Sequence, residues 1–185
     1  MSRIAKKPFV IPAGVEITMN AGSINVKGPR GTLTRVVHPH VHCVQTGNEI
    51  AVTVEDPNTE EDRALWGTFG SHVRNMIRGV TDGYTKQLEV NGIGYRAQVS
   101  GQKLVLNVGY THPIEYSIPA GITITVDKSI ITVNGANKET VGSAAAYIRS
   151  VKPPEPYQGK GIKYSNEVIR RKAGKAAKTG AAAAA

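Results

Sequence analysis

Three histidines in five residues, His38-Pro39-His40-Val41-His42, followed by Cys43, form the most reactive-looking group in the chain. On a strand, side chains two apart share a face, and three imidazoles with an open position would suit a catalytic zinc ion. The spacing argues against that use. Side chains two apart on one strand lie in a row, a poor match to tetrahedral coordination, and Cys43 would point to the opposite face. Pro39 favours an edge strand or a loop, and no second ligand cluster occurs elsewhere in the sequence. Edge histidines open to solvent are the preferred reading, and a metal-dependent enzyme using His38, His40 and His42 is the alternative.

Other groups suggest chemistry and lose it on inspection. Glu60-Glu61-Asp62 resembles a carboxylate pair, but it falls where a helix N-terminus draws negative charge, so capping is preferred. Asn91-Gly92-Ile93-Gly94-Tyr95 lacks the third glycine and the following helix of a dinucleotide loop, and reads as a turn or bulge. Ser71-His72 reads as the polar face of a helix. Arg74 and Arg78, one turn apart on that helix, fit either a phosphate contact or a solvated face. No catalytic residue, metal or cofactor is expected.

Pro153–Tyr164, PPEPYQGKGIKY, is different. Its prolines fix an extended path and reduce the entropy lost on docking. Gly159 and Gly161 bracket Lys160 and let backbone approach a phosphate. Lys160 and Lys163 are point charges suited to phosphate. Tyr157 and Tyr164 are suited to stacking on unpaired bases. Aromatic residues are only 5% of the chain, so two tyrosines in a polar stretch need a reason to be there.

The charge distribution points to the same end. The formal charge is +9, which suggests an anionic partner. Residues 1–148 carry 14 Lys and Arg against 12 Asp and Glu, a net of +2; residues 149–185 carry nine against two, a net of +7. A generic DNA-binding protein is therefore a further alternative. One cysteine, Cys43, rules out an intramolecular disulfide and fits a reducing compartment. The apolar run after Arg3, Lys6 and Lys7 is short and broken by Pro12, so neither a signal peptide nor a membrane span is expected, and the protein is expected to be cytoplasmic.

The elements that position these residues come in two copies. Residues 11–28, IPAGVEITMNAGSINVKG, align without gaps on residues 118–135, IPAGITITVDKSIITVNG, with nine of 18 positions identical. Period-two alternation in both copies predicts strands. Val44–Ile50 and Val99–Leu104 read as hairpins closed by glycine turns. Each half then ends in a helix. The first follows Asp56-Pro57-Asn58-Thr59, carries Leu65, Phe69, Val73, Met76, Ile77 and Val80 on one face, and is expected to end at Gly79 and Gly83. The second is capped by Asn137, carries Val141, Ala144, Ala145 and Ile148 on one face, and is stopped by Pro153-Pro154. The expected class is α+β. Two homologous domains, 1–82 and 83–164, each an antiparallel sheet with a helix on one face, precede a basic, alanine-rich tail over 165–185.

The segment PEPYQGKGIKY (residues 154–164) closely resembles the signature of the bacterial-type large-subunit ribosomal protein six family. The Ser-Arg-Ile start, the IPAG strands, the twofold repeat, Val90-Asn-Gly-Ile-Gly-Tyr-Arg96 and the basic tail extend the resemblance over most of the chain. Gln158 departs from the lysine common in the family, removing one phosphate contact. The resemblance implies a non-catalytic constituent of the large subunit that binds 23S ribosomal RNA near the base of the factor-binding stalk and the sarcin–ricin region, supporting rRNA structure and translation. It implies neighbouring ribosomal proteins and nearby docking of translational GTPases. The family's RNA contacts carry over onto Lys152, Tyr157, Gly159, Lys160, Gly161, Lys163 and Tyr164, and further along onto Arg170, Arg171, Lys172 and Lys175.

Overall fold

The computed structural model describes residues 7–20 and 22–174. The chain divides into two compact units, Met1–Tyr84 with Gly135–Glu139 and Thr85–Asn134 with Thr140–Ala185. Antiparallel ladders and two helices make it a mixed α+β protein, as the sequence pattern implies.

The first unit runs β1 (Phe9–Val10), β2 (Glu16–Asn20), β3 (Ser23–Gly28), β4 (Gly31–Val36), β5 (Val41–Thr46), β6 (Glu49–Val54) and α1 (Glu60–Thr81). Its strands form two antiparallel three-stranded sheets, ordered β1-β6-β5 and β2-β3-β4. Alternation sends Ile24 and Val26 of β3 and Ile50 and Val52 of β6 into one core, which Val73, Met76, Ile77 and Val80 of α1 complete. Each such side chain contributes about 1.5–3 kcal/mol by burial. Gly28 is needed for this packing, because a Cβ there would lie 2.7 Å from Cγ2 of Val80. Trp66 is tied in by donating from Nε1 to the Val52 carbonyl at 2.6 Å.

Both ends of α1 differ from the expected pattern. Thr59 occupies the N-cap position without a side-chain cap bond. Instead Asp62 reaches back and accepts from the Asp56 N–H at 3.1 Å. Gly79 does not end the helix, which continues to Thr81; Gly83, at φ +78°, ends it, its N–H donating to the Arg78 carbonyl at 3.1 Å. The side-chain-free Gly79 is buried within α1.

The second unit's elements, apart from Tyr84, Gly135 and the first two residues of α2, are β7 (Tyr84–Asn91), β8 (Arg96–Ser100), β9 (Lys103–Asn107), β10 (Ile114–Ser117), β11 (Ile122–Asp127), β12 (Ile130–Gly135), α2 (Lys138–Val151) and β13 (Gly161–Tyr164). They form one sheet ordered β10-β9-β8 and another ordered β11-β12-β7-β13. The repeat is visible in the burial: Ile24 and Val26 correspond to Ile131 and Val133, and all four are at most 2% exposed. Asn137 accepts from the Glu139 N–H at 2.9 Å at the start of α2, and Val141, Ala144, Ala145 and Ile148 form its buried stripe. Among the described residues, no helix is long and apolar enough to cross a membrane.

Candidate nucleic-acid interface

The chain leaves α2 at Val151 because Pro153 disfavours a helical conformation at Lys152, and neither Pro153 nor Pro154 can donate to the helix. It then closes on itself. The Ile162 N–H donates to the Lys152 carbonyl at 2.7 Å and the Glu155 N–H to the Lys160 carbonyl at 2.9 Å, fastening the loop at its base. Beyond the loop, β13 pairs antiparallel with β7, setting Lys163 opposite Glu89 and Tyr164 opposite Leu88. Ile162 is fully buried and anchors the strand.

The glycines serve this closure, a different role from the phosphate approach expected of them. Gly161 has φ +138°, and a Cβ there would lie 2.6 Å from the Pro153 carbonyl oxygen and 2.7 Å from the Pro154 Cα. Gly159, at φ +75°, is buried, and a Cβ on it would be 3.4 Å from the Arg171 guanidinium. Both positions require backbone that L-residues rarely adopt.

Pairing sorts the basic residues into two groups. Lys163 is committed to its cross-strand partner, Nζ lying 2.9 Å from the Glu89 carboxylate. Arg149 donates from Nε to Glu167 at 2.8 Å and makes a second bond from Nη2 to the other carboxylate oxygen. That fork holds the Glu167 carboxyl below its usual range and raises Arg149, while Glu167 also accepts from the Tyr164 N–H at 3.1 Å. Tyr164 is half-buried, with the Lys86 and Arg149 cations each 5.9 Å from its ring centroid. It is therefore part of the strand's own packing rather than a free ring. By contrast Lys160, Arg170, Arg171 and Lys172 make no ion pair among the described residues, and the last three are exposed. The Lys172 N–H donates to the Pro156 carbonyl at 2.8 Å, returning this basic run to the loop. Tyr157 stands 57% exposed on the same loop. Lys152 holds its Nζ 4.7 Å from the Tyr110 ring centroid. Lys175 lies outside the described residues.

The structure thus brings Lys152, Tyr157, Lys160, Arg171 and Lys172 to one strand-anchored loop and its return, and turns Lys163 and Tyr164 toward internal partners. Sequence reading missed Glu89, Glu167 and Tyr110. Glu167 was visible as one of only two acids after residue 148; Glu89 and Tyr110 become relevant only once distant segments pair.

The other candidates are also placed. Only His42 lies on β5; His38 and His40 precede it in a turn, where the Val41 N–H donates to the His38 carbonyl at 2.9 Å, so the three do not share a strand face. Pro39, unable to donate a ladder bond, accounts for the late strand start. His40 Nδ1 instead bonds Asp62 at 3.0 Å, and His42 Nε2 lies 3.7 Å from Glu55. Among the described residues no cluster of three His, Cys, Asp or Glu could hold a metal, and the metal-enzyme alternative finds no support. Ser71 Oγ donates to its own helix at the Gly67 carbonyl, 2.8 Å away, so it is not paired with a base. In the Asn91–Tyr95 stretch Asn91 ends β7 and Gly92–Tyr95 turn into β8, with the Tyr95 N–H donating to the Gly92 carbonyl at 3.2 Å.

A duplicated α+β chain that presents cations free of ion pairs among the described residues, and an exposed tyrosine, on a strand-anchored loop has the make-up of a structural nucleic-acid-binding protein. The family model described as Ribosomal protein L6 matches it twice, over residues 11–83 and 91–165, once on each repeat. The chain belongs to the ribosomal protein L6 family. It is 53% identical over 182 residues to "Large ribosomal subunit protein uL6" of Caldicellulosiruptor bescii, covering 97% of this chain and 99% of that protein. It is 51% identical to the proteins of the same name from Exiguobacterium sibiricum and Listeria monocytogenes serotype 4a, covering 96% of this chain and all of each relative. The chain is accordingly a ribosomal protein of the large subunit, structural and not enzymatic.

Proposed function

We propose that the chain binds 23S ribosomal RNA through the second unit, near the base of the factor-binding stalk and the sarcin–ricin region, and there supports rRNA structure and translation. Neighbouring large-subunit proteins and translational GTPases docking nearby are its partners in this reading. The carrying observation is the group of cations that make no ion pair among the described residues, Lys152, Lys160, Arg170, Arg171 and Lys172, gathered on a loop that backbone hydrogen bonds hold to a sheet. Such cations contact phosphate and set position, while an exposed ring such as Tyr157 meets an unpaired base or a ribose. Lys163 and Tyr164 support the strand that aims the loop, and Gly159 and Gly161 give it its shape.

The test is chemical footprinting of 23S rRNA with the full chain. Protection is expected at the stalk base and the sarcin–ricin region; protection confined to other regions would remove the location. Competition with duplex DNA separates this reading from a generic DNA binder, because RNA recognition draws on unpaired bases and the 2′-hydroxyl.

A further inference from the structure

Tyr110, Tyr116 and Tyr147 of the second unit lie outside Pro153–Tyr164. Tyr147, on α2, is 48% exposed although it adjoins the buried Ile148. Its ring stacks on Tyr116 of the edge strand β10, with centroids 5.0 Å apart and planes 28° from parallel. Tyr110 is 50% exposed, and its hydroxyl donates to the Val151 carbonyl at 2.9 Å, satisfying one of the acceptors left open at the end of α2. Lys152 Nζ sits 4.7 Å from the Tyr110 centroid. Tyr147 lies in the last turns of α2 and the Tyr110 hydroxyl is held at its final residue, so both rings stand at the C-terminal shoulder of α2.

Core packing does not account for this arrangement. A ring placed only to fill the core would be covered, and burial of the α2 stripe is already complete through Val141, Ala144, Ala145 and Ile148. The shoulder instead offers two half-exposed rings, each held in a fixed orientation, one by a neighbouring ring and one by a hydrogen bond. A lysine stands at its end. Fixed aromatic faces beside a cation match a single-stranded nucleic acid, whose bases present π-faces and whose backbone carries the charge. They match a paired helix poorly, since its bases are already stacked.

We propose that this shoulder is a stacking platform for unpaired nucleotides, with a base on the outer face of Tyr147, a second on Tyr110, and Lys152 on phosphate. This rests on the reading that the chain binds rRNA, and it adds which form of RNA the second unit takes and where. The full chain is titrated with a 12-nucleotide oligouridylate and, separately, with a fully paired RNA duplex of equal length. Tyr147→Leu keeps an apolar side chain against Tyr116 but removes the π-face. It is expected to weaken oligouridylate binding about tenfold, with an unchanged salt slope and unchanged duplex binding. Tyr147→Phe is expected to retain wild-type affinity, which a lost hydroxyl contact would not allow. The platform is overturned if Tyr147→Leu weakens both probes equally, flattens the salt slope, or weakens neither. If Lys160→Gln weakens binding while Tyr147→Leu does not, the platform falls and the rRNA reading stands; if the wild-type chain binds no RNA, both fall.

Discussion

Lys160 and Lys163 are three residues apart and chemically identical, yet their surroundings assign them different work. Lys163 faces Glu89 across the β13–β7 ladder at 2.9 Å, whereas Lys160 has no ion-pair partner among the described residues. Only a lysine that neutralises a phosphate releases counterions, and each one steepens the dependence of log affinity on log salt by about 0.7–0.9. With Lys152, Lys160, Arg170, Arg171 and Lys172 all engaged, the wild-type slope is about −3.5 to −4.5, or roughly a 100- to 500-fold loss of affinity between 50 and 200 mM salt. Lys160→Gln should flatten that slope by about 0.7–0.9 and cost about five- to eightfold in affinity at 0.1 M. Glu89→Gln combined with Lys163→Gln leaves the net charge unchanged and should leave the slope unchanged, with a stability cost of at most about 1 kcal/mol for a partly exposed pair. The assay is filter binding or fluorescence anisotropy with an rRNA fragment at several salt concentrations. The reasoning is refuted if the double variant flattens the slope as much as Lys160→Gln does, since Lys163 would then be leaving Glu89 for phosphate. It is equally refuted if Lys160→Gln leaves the slope untouched.

Further outcomes follow from the same geometry. Gly161→Ala places a Cβ against Pro153 and Pro154 backbone at a φ of +138°; it should cost at least about 2 kcal/mol, read as a lower Tm, with faster hydrogen exchange across β13. The His40–Asp62 bond, reinforced by the nearby Glu55 and Glu61 charges, raises His40 above 6.5, while the same bond and the Asp56 N–H lower Asp62 below 3.8. The His40 contribution is therefore full below pH 6.5 and lost as pH rises through its raised value; that of Asp62 is full above pH 3.8 and lost as pH falls through its lowered value. In Asp62→Asn the His40 midpoint, followed by NMR, should fall back toward 6.5; an unmoved midpoint would contradict the pairing. Ile131→Val removes a methyl group from a fully buried site and should cost about 1 kcal/mol in chemical denaturation, and a change indistinguishable from zero would show that the site relaxes to fill the space.

The fold was legible in the sequence wherever its cause is local. The hairpin glycines, which adopt φ +59° at Gly47 and +58° at Gly101, and the Val141–Ile148 stripe rest on spacing within a few residues, and the repeat shows the same local patterns twice. The division of each unit's strands into two sheets was not legible, because period-two alternation gives a strand's faces and not its partners. Gly161–Tyr164 was not legible as a strand for a related reason. Its composition is that of a turn, and it becomes strand only through a ladder with Leu88–Asn91, far back in the chain. The same long-range pairing explains the candidate site. The charge split singled out the C-terminal segment, but only the register reveals that Glu89 occupies Lys163 and that Arg149 and Lys86 flank Tyr164. At His38–His42 the period-two spacing does not form one strand face, because Pro39, as its residue type suggests, keeps the chain in a turn until β5 starts at Val41.

In the proposed reading, the second unit's C-terminal loop and the basic run returning to it grip ribosomal RNA. Protein–RNA crosslinking in assembled large subunits, mapped to single residues, tests it most directly. Crosslinks are expected to concentrate on Lys152–Lys172, with Tyr157 and Lys160 among the strongest and Lys163 weak. Crosslinks confined to residues 7–84, with none on that segment, would contradict it.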